Sequence, residues 1–128
     1  MSKEENMVGW FEIPVTDMQR AKTFYEAVFG IQIEIHQMGE LEMGWFPFVS
    51  EGAGAGGSLV RHEEFYRPSD SHGTLVYINC PDVKDSLELV LKAGGKVLQE
   101  KKLIAEGYGY MGLFVDSEGN RVALHSRA

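Results

Sequence analysis

Apolar and polar positions along this chain run through one order twice. Residues 10–15 (Trp-Phe-Glu-Ile-Pro-Val) alternate as a strand with one face toward a core does. Asp17 follows where a helix N-cap accepts an orphan backbone N–H. Met18, Ala21, Phe24, Tyr25 and Val28 then recur at helical spacing, and Gly30 stands where a helix ends in a left-handed residue. Strand-like stretches come next at 31–36, 43–49 and 57–62, with a Gly-rich loop at 51–56. The polar stretch 63–72, which includes Pro68, reads as a linker. Beyond it the order repeats, with a strand at 74–80, an N-cap at Asp82 and a helix carrying Val83, Leu87, Val90 and Leu91 that ends at Gly94-Gly95. A strand starts at 96–98, and two more at 108–115 and 121–126 are joined by a turn at 116–119. The longer, more polar stretch 99–107 is expected to be a mobile flap.

The repeat has a register. A shift of 65 positions brings Asp17 onto Asp82, Met18 onto Val83, Phe24 onto Leu89, Gly30 onto Gly95, Trp45 onto Tyr110 and Leu59 onto Leu124. Each unit reads β-α-β-β-β, so one helix covers one sheet face and leaves the other bare. Two such units can curve their bare faces around a shared cleft, within one chain or across a dimer. The expected fold is α+β: tandem βαβββ modules at 8–62 and 73–126, a curved sheet around a cleft, and a single domain over 1–128. Clefts of this kind take small molecules.

Composition narrows the ligand. A chain of 128 residues, 44% hydrophobic and 24% charged, has the proportions of an ordinary globular domain. A net charge of -7, with no basic stripe, repels phosphate backbones and argues against nucleic acid. One cysteine, Cys80, forms no internal disulfide. A polar N-terminal stretch and the lack of any long apolar run argue against a leader and a membrane span, and lead to a cytoplasmic expectation.

Glu12-Ile-Pro-Val-x-Asp17, Ala21-x-x-Phe24-Tyr25, Phe29-Gly30, Asp82, Gly94-Gly95 and Phe114-Val-Asp-Ser-Glu-Gly-Asn120 together resemble the vicinal oxygen chelate superfamily, the group of glyoxalase I, bleomycin resistance proteins and extradiol dioxygenases. The resemblance runs from about Gly9 to Ser126 and implies paired βαβββ modules, usually in a homodimer. It also implies four metal-ligand positions, on the first and last strand of each module. Here these hold Trp10, Ser58, Leu75 and Ala123, none of which is an imidazole, carboxylate or thiolate. A bound metal or other cofactor is therefore not expected.

Side chains two apart on a strand share a face. Glu12 should face the cleft with Trp10, Tyr77 with Leu75, and His125 with Ala123. Glu12 is the candidate general base, or else a structural partner of Arg121. His125 is the candidate acid or base, or else a strand-end histidine bonded to a neighbour. Trp10, Trp45, Tyr77 and Tyr110 are candidate aromatic walls. His62-Glu63-Glu64 lacks the second histidine of a metalloprotease motif, since Tyr66 stands in its place. The expected function is metal-free binding of a small aromatic or cationic molecule between the modules. The alternative is a lyase, isomerase or oxygenase, of the lactoylglutathione lyase kind, with a shifted site around Glu12 and His125.

Overall fold

Each half builds a four-stranded sheet because each offers its helix one apolar strand face. The computed structural model describes residues 6–128; residues 1–5, which hold most of the polar N-terminal stretch, lie outside the described residues. The first half consists of β1 (Trp10–Pro14), α1 (Met18–Phe29), β2 (Glu34–Met38), β3 (Leu41–Trp45) and β4 (Gly56–Arg61). The second consists of β5 (Tyr77–Asn79), α2 (Val83–Lys92), β6 (Lys96–Ala105), β7 (Gly109–Val115) and β8 (Arg121–Ser126). The sheets run β1-β4-β3-β2 and β5-β8-β7-β6. In each, the first strand lies parallel to the last and the other pairs are antiparallel.

Both helices start at the expected aspartates. Asp17 Oδ1 accepts from the Arg20 N–H at 3.0 Å, and Asp82 Oδ1 accepts from the Lys84 N–H at 2.9 Å. α1 ends on Gly30 at φ 64, a left-handed position that favours glycine. The buried stripe of α1 is Met18, Ala21, Phe24, Tyr25 and Val28, as its spacing predicts. α2 buries Val83, Ser86, Leu87 and Val90, whereas Leu91 is exposed. Leu89, the repeat partner of Phe24, is also exposed. One core joins the halves: Phe24 packs on Phe114 with ring centroids 6.1 Å apart, while within the first half Tyr25 meets Phe46 edge-on at 5.5 Å.

A polar clamp fixes the halves to each other. The turn between β7 and β8 docks on the start of α1, where Glu118 Oε1 accepts from the Thr16 N–H at 2.9 Å and the Asp17 N–H at 2.7 Å. Arg20 closes on the same carboxylate through its guanidinium. Beside it, buried Asp116 accepts from the Tyr25 phenol at 2.7 Å and the Asn120 amide at 3.0 Å, and Asn120 also donates to the Pro14 carbonyl at 2.6 Å. Burial pushes the Asp116 carboxyl up despite these donors, and burial together with the neighbouring Asp116 raises the Tyr25 phenol well above its usual range.

Two expectations are corrected. The stretch 99–107 is not a flap: β6 continues to Ala105 and pairs with β7 to the end of that hairpin. Its polarity reflects an edge strand with much of its surface in water, broken by register shifts, and not a lack of structure. β2, β3 and β5 also start and stop elsewhere, so residues 31–33, 46–49 and 74–76 are not strand.

The clamp makes a prediction about acid stability. Burial alone would raise the Glu118 carboxyl, but hydrogen bonds from Arg20, Asp17 and Thr16 outweigh it and bring it to about 2 from 4.5. A depressed carboxyl stabilises the fold above its unfolded pKa and loses that contribution as pH falls toward its folded value. Glu118→Gln should therefore cost on the order of 3 kcal/mol at neutral pH. The deficit should shrink as pH drops below 4.5 toward 2. Urea unfolding of both proteins at neutral and acid pH measures it, and a deficit independent of pH would contradict the clamp.

Candidate functional site

On the sheet face away from α1, register sets Glu12 beside Ser58 and Ser58 beside Trp45, with Trp10 beside Gly56. Trp10 meets Trp45 edge-on at 6.3 Å, and the His36 ring lies 3.9 Å from Trp45. The Trp45 indole N–H is buried without an acceptor among the described residues. Glu12 is held from two sides: the Tyr66 phenol donates to Oε1 at 2.6 Å and the Trp10 indole to Oε2 at 3.3 Å. Its partners are thus a phenol and an indole, not Arg121. The bond from Glu12 raises the Tyr66 phenol, with some help from burial. Tyr66 lies in the linker and reading the sequence alone missed it, because no periodicity there says which way a side chain points.

In the second sheet the corresponding row is Tyr77, Ala123 and Leu113, followed by Asn79, His125 and Met111. His125 shares the face of Ala123, as expected, and its Nε2 lies 2.8 Å from the Tyr108 carbonyl. Tyr110 does not join Trp45. It packs toward the core on the helix side, with Lys101 Nζ 4.5 Å from its ring centroid. The cause is loop length: Trp45 and its partner Ser58 are thirteen positions apart, while Leu113 and its partner Ala123 are ten apart. The structural counterpart of Trp45 is Leu113, so the uniform shift of 65 fails in this strand.

A cavity of about 1140 Å³ opens between the two edge strands, β1 and β5. Trp10, Glu12, Leu75 and Tyr77 all line it, while Trp45, Ser58, Tyr110, Ala123 and His125 do not. Phe11, Phe29 and Phe46 add aromatic wall, and Gly57 makes room for Phe11, whose ring would meet any Cβ added there. The charged residues of the lining are Glu12, Asp82 and Asp85, acids without exception. A second cavity of about 180 Å³ lies between the linker, β1 and β8, and Glu12 lines this one as well.

The four positions where the resemblance implies metal ligands do not suit a metal. Ser58 is buried and its hydroxyl donates to the Leu59 carbonyl at 2.6 Å; Trp10 packs edge-on against Trp45; Leu75 and Ala123 offer no donor atom. Among the described residues no three His, Cys, Asp or Glu side chains gather in a way that would hold an ion.

Residues 8–43 match the bleomycin resistance protein-like N-terminal family. A glyoxylase-like domain-containing protein of Didymella fabae is 30% identical over 123 residues, covering 94% of this chain and 93% of that one. Among solved structures, a glyoxalase/bleomycin resistance protein from Albidiferax ferrireducens T118 matches 95% of this chain and 100% of its own, at TM-score 0.70 and 15% identity. An antibiotic binding protein from Streptomyces sp. CB03234 matches 99% and 100% at TM-score 0.68 and 21% identity. Glyoxalase I from Zea mays matches 92% of this chain at TM-score 0.65 and 21% identity, and the chain spans 45% of that protein. At these identities the structural likenesses establish the fold. No helix among the described residues is long and apolar enough to cross a membrane.

The Glu12–Tyr66 bond is testable in solution. Glu12→Gln removes the charge that disfavours the phenolate, so Tyr66 should ionise at lower pH than in the parent. Alkaline absorbance titration near 295 nm should show one of the five tyrosines moving, and Tyr66→Phe should abolish that difference. Identical titration curves for Glu12→Gln and the parent would count against the bond.

Proposed function

We propose that this chain, which belongs to the vicinal oxygen chelate superfamily of glyoxalase and bleomycin resistance proteins, binds a small aromatic cation between β1 and β5 without a metal. The observation that carries the reading is the cavity of about 1140 Å³ whose charged lining residues are all acids. Its volume lies just above the usual range for small-molecule sites, about 300 to 1000 Å³. Trp10, Phe11, Phe46 and Tyr77 supply flat apolar surface, and a cation over such a ring gains about 0.5 to 2 kcal/mol.

The acids differ in availability. Asp82 caps α2 and holds Lys101 at 3.0 Å, and the hydrogen bond from Lys101 keeps its carboxyl below the usual range. Asp85 sits exposed in the first turn of α2 and, among the described residues, has no ion-pair partner. Glu12 has only neutral donors, Tyr66 and Trp10. Asp85 and Glu12 are therefore the groups that meet the ligand's charge. A net charge of -7 adds a long-range attraction that salt screens. The antibiotic-binding relative shares this fold, and drug or metabolite sequestration is the activity we assign to the cavity.

Untagged protein screened against aromatic cations, with neutral and anionic aromatics of the same shape, tests this through thermal shift and quenching of Trp10 fluorescence. Cations should raise the melting temperature, and added salt should weaken their binding. Glu12→Gln and Asp85→Asn should each weaken it about two- to fivefold, the scale of a partly exposed ion pair. Equal binding of the anionic analogues would defeat the charge assignment. Stoichiometric metal that EDTA removes together with thermal stability would defeat the metal-free one.

A further inference from the structure

The smaller cavity has the opposite sign. It is enclosed by the linker, the end of β1 and the start of β8, and Arg67, His72 and Arg121 line it together with Ser69 and Thr74. The chain has five arginines. Arg20 and Arg61 pair with Glu118 and Glu42, whereas among the described residues neither Arg67 nor Arg121 has a carboxylate partner. Glu12, the one acid in the lining, has each of its oxygens engaged, by Tyr66 and by Trp10. Two arginines without a carboxylate partner thus line one small space in a chain that is otherwise strongly acidic.

The loop that carries these groups is fastened in place. The Ser69 hydroxyl accepts from the Ser71 N–H at 3.2 Å and the His72 N–H at 2.9 Å, and the Ser69 carbonyl accepts from the Arg121 N–H at 3.1 Å. That last bond ties the linker, two residues on from Arg67, to the strand bearing the second arginine. His72 engages Ser71 through Nδ1 at 2.7 Å, which directs that nitrogen away from ligand duty.

We infer that this cavity of about 180 Å³ is a binding site for one compact oxyanion, a phosphate or a carboxylate, held between Arg67 and Arg121. Guanidinium forks match the oxygens of such groups in pairs, and these charge-assisted bonds are the strong ones. The volume is too small for the drug-sized ligand of the larger cavity. The site does not depend on the aromatic-cation reading.

The test titrates the full chain with inorganic phosphate and, separately, acetate, against chloride at matched ionic strength, by calorimetry and thermal shift. Saturable one-to-one binding is expected, and the tighter of the two anions identifies the source chemistry. Arg67→Gln and Arg121→Gln should each weaken that anion about tenfold, as loss of a charged hydrogen-bond partner does. Arg127→Gln, outside the lining, should leave it unchanged. Arg67 is exposed, so its variant folds even if Arg121→Gln does not, and the melting temperature without anion reports on both. Aromatic-cation binding, measured in the same variants, should hold within a factor of about two, since neither arginine lines the larger cavity. The inference is overturned if neither anion saturates, or if Arg67→Gln binds as tightly as the parent.

Discussion

The arrangement of the two sheets rests on one turn, 116–120, gripping the first turn of α1. A carboxylate as buried as Glu118 is costly unless its oxygens are fully used. Here two backbone N–H groups, a hydroxyl and a guanidinium use them, drawn from Thr16, Asp17 and Arg20. Glu118 bonds the backbone N–H of an N-cap residue, the task a capping-box glutamate performs locally, from a hundred residues away. Helix capping and module docking are therefore one interaction, and α1 cannot shift without exposing both.

The larger cavity follows from the other half of the same symmetry. Where the β7–β8 turn reaches the start of α1, the β3–β4 loop ought to reach the start of α2. In the 65-residue register it carries Glu51, Gly52, Ala53 and Ala55 where the other turn carries Asp116, Ser117, Glu118 and Asn120. Ala53, at the place of Glu118, cannot reach across or satisfy a helix N-terminus, and Ala53, Gly54, Asp82 and Asp85 all line the larger cavity. The loop that invites a phosphate-binding reading by its glycines serves instead by what it leaves empty. It also leaves two acids at the start of α2 free of the kind of clamp that Glu118 imposes on α1.

How much of this was legible depends on what sets each feature. The strand-helix-strand order was legible because burial imposes periods of 2 and 3.6, and the N-cap aspartates because an orphan N–H needs an acceptor. Strand parity put Glu12 with Trp10 on one face, and both line the larger cavity together with Leu75 and Tyr77, although Leu75 precedes β5 and residues of either parity share that wall. Parity also explains the failure at Tyr110: a loop longer by three residues, an odd number, turns a side chain to the opposite face. Tyr66, Arg67 and His72 sit in a linker with no period, so only coordinates reveal that they converge on Glu12 and on the smaller cavity. Asp82 was legible as a cap, but as a cavity wall only once the modules are docked.

Glu12 is where these threads meet, and its geometry constrains what either cavity can do. An ionised carboxylate has about four lone-pair sites. Tyr66 occupies one on Oε1 and Trp10 one on Oε2, which fixes the carboxylate plane and leaves one site free on each oxygen. A cation in the larger cavity can therefore bind Glu12 without displacing Tyr66, so the linker stays anchored while the ligand enters. The inferred oxyanion of the smaller cavity would sit near that same carboxylate, with two arginines to outweigh it. Each occupant would then lower the electrostatic cost of the other. A cation on Glu12 would neutralise the charge that repels the anion. On the two proposals above, one glutamate shared by two cavities of opposite sign would favour joint occupancy without any movement of the fold.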